Sequence, residues 1–195
     1  LRAELPQVLA WAQDAVTLAR RLHESLPARY ADFADTPAAM MSLVGRDGAM
    51  ELYDGVLRLR ESDGRIAVDG FDDQRYRELI AEAVKPWTYM KFPYRRDLGV
   101  DDGWYRVGPL ARVQNCDFIP TPRAEEARQA FVAAHAGRPV HAVLATHWAR
   151  MIELLHGVET VAALLDDALI TSGPLQTEGP RQRSGIGIIE APRGT

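Results

Sequence analysis

The sequence predicts an α+β fold that is mainly α: a bundle of long helices carrying a small inserted antiparallel β-meander. Residues 5–26 and 139–166 repeat apolar side chains at alternating steps of three and four, the period of a buried helix face. Residues 40–71 instead alternate in short runs separated by Asp-Gly turns, as hairpins do. The composition, 47% hydrophobic and 26% charged over 195 residues, is that of a globular chain with a sizeable core.

Four stretches of one domain follow: 1–39 a bundle helix, 40–71 the β insertion, 72–137 a helix and aromatic loops, 138–195 the second bundle helix and a closing strand. In the first, Leu5, Leu9, Ala12, Val16, Ala19 and Leu22 form a narrow seam suited to close helix packing. Pro6 lies in the first turn, where a missing N–H costs little, and Pro27 ends the pattern. In the second, Met50–Tyr53, Val56–Arg60 and Arg65–Val68 read as strands around Gly48, Asp54-Gly55 and Asp63-Gly64. In the third, Asp72 or Asp73 caps a helix over 73–84. Residues 86–121, rich in aromatics and punctuated by Pro86, Pro93 and Pro109, read as an ordered irregular loop. Thr121-Pro122 opens a helix over 122–136. In the fourth, Gly157 can kink or split the helix over 139–166. Gly185-Ile-Gly-Ile-Ile-Glu190 reads as a buried strand with close backbone approach.

Several function classes are excluded or disfavoured. A net charge of −4 argues against a dominant basic patch, and so against nucleic acid. No apolar run approaches the ~20 residues of a membrane span, and no signal or transit segment is visible. The one cysteine, Cys116, excludes a disulfide framework and a multi-cysteine metal cage within the chain. Cys116 reads as a small buried hydrophobe. His141 and His147, six apart, point about 120° away from each other on a helix, and His156 shares a face only with Glu153. No metal-binding His pair results, so these histidines read as surface or interhelix hydrogen-bonding groups. The glycines at 185 and 187 lack the third glycine and following helix of a dinucleotide fingerprint, and no phosphate-binding Gly-Lys-Ser/Thr loop is present. No carboxylate pair is nominated for acid–base work by spacing. Arg193, between Pro192 and Gly194 at the end of a strand read as buried, needs an anion or an acceptor. A carboxylate closing the strand end and a bound ligand satisfy that need equally. The chain opens on Leu1 rather than Met, already in helical register, and stops at Thr195, which suggests a piece of a longer polypeptide.

Glu190-Ala-Pro-Arg-Gly194 resembles the EAPRG motif of nickel–iron hydrogenase large (alpha) subunits, shared with the related quinone-module subunit of respiratory complex I. Pro86-Trp-Thr-Tyr-Met-Lys-Phe-Pro-Tyr94, Tyr105-Arg-Val-Gly-Pro-Leu-Ala-Arg112 and Ala145-Thr-His-Trp-Ala-Arg-Met-Ile-Glu153 are similar to the soluble branch with NAD-reducing and methyl-viologen- or F420-linked enzymes. The resemblance implies a central segment of a catalytic subunit that oxidises H2 reversibly. It implies a Ni–Fe(CN)2(CO) centre held by two CxxC motifs outside this chain, none of it held by these residues alone, and an isolated piece without activity. It implies partnership with a small iron–sulfur subunit, diaphorase subunits as optional further carriers, and a cytoplasmic location. It further implies that Arg193 lies over the metal centre, near the cyanide ligand, with Pro192 shaping the pocket of the diatomic ligands. A guanidinium is a fixed donor and a very poor base at neutral pH, so donation to cyanide suits Arg193 better than proton abstraction. Glu190 suits anchoring of the turn. Arg112, Arg150 and Glu153 match the family without a role, and buried interhelix ion pairing is the reading favoured for them. The rival reading is a metal-free, hydrogenase-like quinone-module subunit of a complex I type enzyme.

Overall fold

A computed structural model describes all residues except 1, 32, 175 and 177, with the side chains of 28, 31, 73 and 171 also left out. The helical register expected at Leu1 lies outside the described residues. In chain order the elements are α1 (Leu5–Glu24), α2 (Ala28–Ala31), β1 (Ala39–Val44), β2 (Val56–Arg60), β3 (Ile66–Phe71), α3 (Tyr76–Leu79), β4 (Ile80–Val84), β5 (Lys91–Arg95), α4 (Gly99–Asp102), β6 (Tyr105–Arg106), α5 (Pro109–Asn115), α6 (Pro122–Ala134) and α7 (Ala145–Asp166).

The α+β class stands. The long helices α1 and α7 pack on each other, and α5 and α6 pack on α7. Their shared core gathers Val16, Leu110, Val113, Phe131, Trp148 and Ile152. The Phe131 and Trp148 rings meet edge-on, with centroids 5.0 Å apart, an arrangement aromatic pairs favour.

The meander forms as β1, β2 and β3, antiparallel in sequence, with Val44 opposite Val56 and Met40 opposite Arg60. Short β6 then joins β1 in parallel, giving the order β3-β2-β1-β6. All of β1 is buried, because α5 covers one face and Met41, Leu43, Leu57, Leu59 and Ile80 cluster on the other. A central strand buried on both faces is apolar throughout rather than alternating. Gly48 and Gly64 hold φ of +86° and +93° in the turns, a region that favours glycine.

Several expectations are corrected. The helix over 73–84 ends after a single turn. Asp72 does accept from the Gln74 N–H at 2.9 Å, and Asp73 lies outside the described side chains. From Ile80 the chain is extended and pairs with β5, Ile80 opposite Arg95 and Val84 opposite Lys91; a long-range partner overrides local helix propensity. The stretch 86–121 is largely regular and contains β5, β6 and α5. Met50–Tyr53 is no strand: Met50 makes one bridge to Val44. The strand over 185–190 does not form: Ile186 and Ile189 are exposed, and glycines at 185 and 187 bring no side chains with which to bury them. The second bundle helix starts at Ala145, not 139, and runs through Gly157 unbroken.

Candidate functional site

Arg112 is the hub that ties the chain's last residues to its core. It sits in the middle of α5, 1% exposed, where no guanidinium is tolerated without acceptors. Its Nη2 donates to Glu153 Oε2 of α7 at 2.8 Å, and its Nε bonds the other Glu153 oxygen. Its Nη1 donates to Glu190 Oε2 at 2.6 Å and to the Ala191 carbonyl at 3.0 Å. Burial alone would lower the Arg112 pKa; its bonds and charges with Glu153 and Glu190 outweigh burial and raise it. Bidentate geometry of this kind is the strong form of the arginine–carboxylate pair.

Glu190 is held from every side. Its side chain is fully buried. Oε1 accepts from the Leu43 N–H of β1 at 2.7 Å and from the Thr195 hydroxyl at 2.9 Å. Its own N–H donates to the Leu52 carbonyl at 2.9 Å. Two carboxylates around one guanidinium leave one excess negative charge, and the Leu43 and Thr195 donors are placed to stabilise it. Residues 191–194 close a tight turn in which the Ala191 and Gly194 N–H groups donate to each other's carbonyls, both at 3.0 Å.

This turn lies directly against the start of α5. Gly108, with φ +95°, leaves no room for a methyl: a Cβ there would lie 2.8 Å from the Arg193 carbonyl oxygen. Gly194, with φ +147°, faces Val107, whose Cγ2 would lie 2.1 Å from a Cβ at 194. Pro192 and Arg193 are exposed, which corrects the expectation of an Arg at a buried strand end. Among the described residues the Arg193 side chain has no hydrogen bond or ion pair.

Other residues singled out by the sequence fall elsewhere. His156 of α7 is buried, and its Nδ1 pairs with the Thr121 hydroxyl of the α6 cap at 2.9 Å. His141 is buried and its Nε2 donates to the Ser62 carbonyl at 2.9 Å; His147 is exposed. Arg150 is exposed and has no ion pair among the described residues, so the interhelix pair forms for Arg112 and Glu153 but not for Arg150.

Two features were missed in the sequence. Arg58 of β2 donates to Asp69 at 2.8 Å and Asp117 at 3.0 Å, and to the Asn115 carbonyl at 2.9 Å. Asn115, fully buried, donates back to the Arg58 and Met40 carbonyls. The signal was two arginines in the otherwise apolar run Val56–Arg60. The second is a histidine pair, His23 Nε2 to His135 Nε2 at 3.1 Å. The His135 Nδ1 faces the Phe131 carbonyl at 2.8 Å. A carbonyl only accepts, so that nitrogen carries the proton. Nothing in sequence spacing links two residues so far apart.

No family model matches the chain. It is 42% identical over 192 residues to the beta subunit of the NAD-reducing hydrogenase HoxS of Cupriavidus necator, covering 97% of this chain and 39% of that protein. It is 36% identical over 200 residues to the vhu A-type subunit of the F420-non-reducing hydrogenase of Methanococcus voltae, covering 100% of this chain and 46% of that one. It is 39% identical over 173 residues to the iron-sulfur A-type subunit of the F420-non-reducing hydrogenase of Archaeoglobus profundus, covering 85% and 35%. A solved chain of an NAD+-reducing NiFe-hydrogenase in the H2-reduced state superposes with a TM-score of 0.92 at 46% identity, over 99% of this chain and 43% of that one. The chain spans less than half the length of these relatives.

The relatives are hydrogenase subunits, and the fold matches part of one. Their names correct the finer expectation of a nickel–iron large catalytic subunit and of its central segment: they are of the beta and A types, one of them called an iron-sulfur subunit. The quinone-module alternative gains no support from them. The residues present do not fit a nickel–iron centre or an iron–sulfur cluster, both of which need several thiolates. Cys116 is 3% exposed, and burial pushes its thiol up to about 12. No group of three or more His, Cys, Asp or Glu able to hold a metal occurs among the described residues. No helix among them is long and apolar enough to cross a membrane.

Proposed function

We propose that the chain is a segment of a hydrogenase subunit of the beta or A type, working in a multisubunit, H2-dependent oxidoreductase with electron-carrying partner subunits in the cytoplasm. Its working edge is the turn Glu190–Gly194. Arg193 is the catalytic candidate, and Arg193 and Pro192 are the residues that face a redox group held by thiolates outside these 195 residues. The observation that carries this reading is a contrast within five residues. Glu190 is locked into the core through Arg112, whereas Arg193, three positions on, is exposed and unpaired among the described residues. A turn anchored this firmly while presenting an uncommitted five-donor cation suits contact with an anionic or strongly accepting group.

The test is Arg193→Lys in the intact assembly. Lysine keeps the charge and loses the planar fork. Turnover of H2 with a soluble acceptor is expected to fall at least about tenfold, a transition-state loss of about 1.4 kcal/mol, while assembly of the subunits is unchanged. Turnover equal to the parent would remove Arg193 from the site.

A further inference from the structure

The most deeply buried guanidiniums are each neutralised. Arg58 has Asp69 and Asp117, Arg95 has Glu61 and Asp97, and Arg112 has Glu153 and Glu190. Arg60, two residues along β2 from Arg58, is half-buried and has no carboxylate within ion-pair reach among the described residues. Its Nη1 donates to the Gly64 carbonyl at 2.9 Å. Its Nε is buried without any acceptor. Burial, and then the neighbouring Arg58 charge, pull its pKa below the ordinary arginine value.

A cavity of about 430 Å³ opens beside it, lined by Arg60, Arg128, Arg138, Asp63, Asp117 and Cys116 among others. Glu125 pairs with Arg128 at 2.7 Å, and Arg58 holds Asp117 at 3.0 Å as well as Asp69. Of the wall's charged groups without an ion pair among the described residues, Arg60 and Arg138 are cations and Asp63 is an anion. Cys116 cannot supply the missing anion, since its thiol is pushed up to about 12 and stays protonated at neutral pH. The His135 ring is committed to Phe131 and His23.

We propose that this cavity, between the β2–β3 turn and the ends of α5 and α6, binds a small oxyanion head group, phosphate or carboxylate, on Arg60 and Arg138. Guanidinium forks match both oxyanions in geometry. A half-buried guanidinium that lines a cavity and has no carboxylate partner is the kind of group such a ligand completes. The site lies apart from the Glu190–Gly194 turn and does not depend on the function proposed for it.

The experiment is calorimetric titration of the full-length subunit, in its native assembly, with inorganic phosphate and separately with acetate, against chloride at equal ionic strength. Saturable binding of either is expected, and the tighter of the two identifies the head group. Arg60→Met is expected to weaken that binding about tenfold or more, the loss of one charge-assisted bond. Binding unchanged in Arg60→Met, or no saturable binding of either anion to the parent, overturns the proposal. Should Arg60→Met not fold, the exposed Arg138→Met decides by the same criterion, with a severalfold weakening expected.

Discussion

Arg112 and Arg60 lie one in α5 and one in β2, and the chain treats their charges in opposite ways. Arg112 is surrounded by two carboxylates and a carbonyl, drawn from α7 and from the last six residues. Arg60 has one carbonyl and an idle nitrogen. Desolvating a charge costs several kcal/mol unless partners replace the lost water. Where that cost is fully offset, the charge can act as a fastener, because every partner is fixed in direction. Where it is not, the cation is kept at a cost to the fold, and a ligand is the natural beneficiary. Burial alone therefore does not distinguish a fastening arginine from a binding one; the completeness of its acceptors does.

The largest effect expected from this contrast is at the fastener. Arg112→Ala leaves Glu153 and Glu190 partly or wholly buried without a counter-charge. Removing one partner of a buried pair costs about 3–5 kcal/mol, so urea unfolding of the full-length subunit should show a loss of that order. A change below about 1 kcal/mol would erase the distinction between the two arginines. Next comes the neutral hub. Asn115→Ala removes donors to the Met40 carbonyl, the Ser42 hydroxyl and the Arg58 carbonyl, and each buried acceptor left unsatisfied costs about 1–3 kcal/mol. The same unfolding measurement should place it below Arg112→Ala and well above an exposed control such as Arg150→Ala.

The smallest effect concerns buried groups that avoid charge altogether. His23 lies below its ordinary value of 6.5 through burial and then the His135 charge, and His156 through burial. Both bind a proton less readily in the folded chain than in the unfolded one. Their contribution is therefore complete above about pH 6.5 and is lost as pH falls below it, by at most about 1.4 kcal/mol per pH unit for each imidazole. Thermal midpoints measured from about pH 8 to about pH 5.5 should fall on the acid side. His156→Gln should flatten that slope; a pH-independent midpoint would show that neither ring stays neutral on folding.

Periodicity located α1 and the body of α7, Thr121-Pro122 located α6, and Asp-Gly turns located the meander, because these signals are local. What failed was decided at a distance. Ile80–Val84 became a strand because Lys91–Arg95 lies beside it. The apolar text around Ile188 predicts a buried strand, yet among the described residues no strand pairs with it: Ile188 packs partly buried on the sheet cluster while Ile186 and Ile189 stay exposed. Within the site, a turn anchored by Glu190 and a buried ion pair among Arg112, Arg150 and Glu153 were expected, with the choice of arginine left open. The junction of the two was not: 78 residues separate Arg112 from Glu190, and no spacing rule spans that. Arg60 was visible only as one more charge on an alternating strand. Its idle nitrogen is a property of its neighbours.

The contact of Gly108 with the turn that ends at Gly194 has a consequence for how this protein can change. Each position is held open by the absence of atoms, and each absence serves the other segment: backbone meets backbone where the turn rests on the first residue before α5. A single added methyl on either side would act as a wedge, prising the tail off its seat while every polar partner of Glu190 stayed in place. Repair would then have to come from trimming the bulk opposite, Val107 above all. Mutational drift at these two neighbours should run in tandem, whereas the outward-facing Pro192 and Arg193 answer only to whatever they touch.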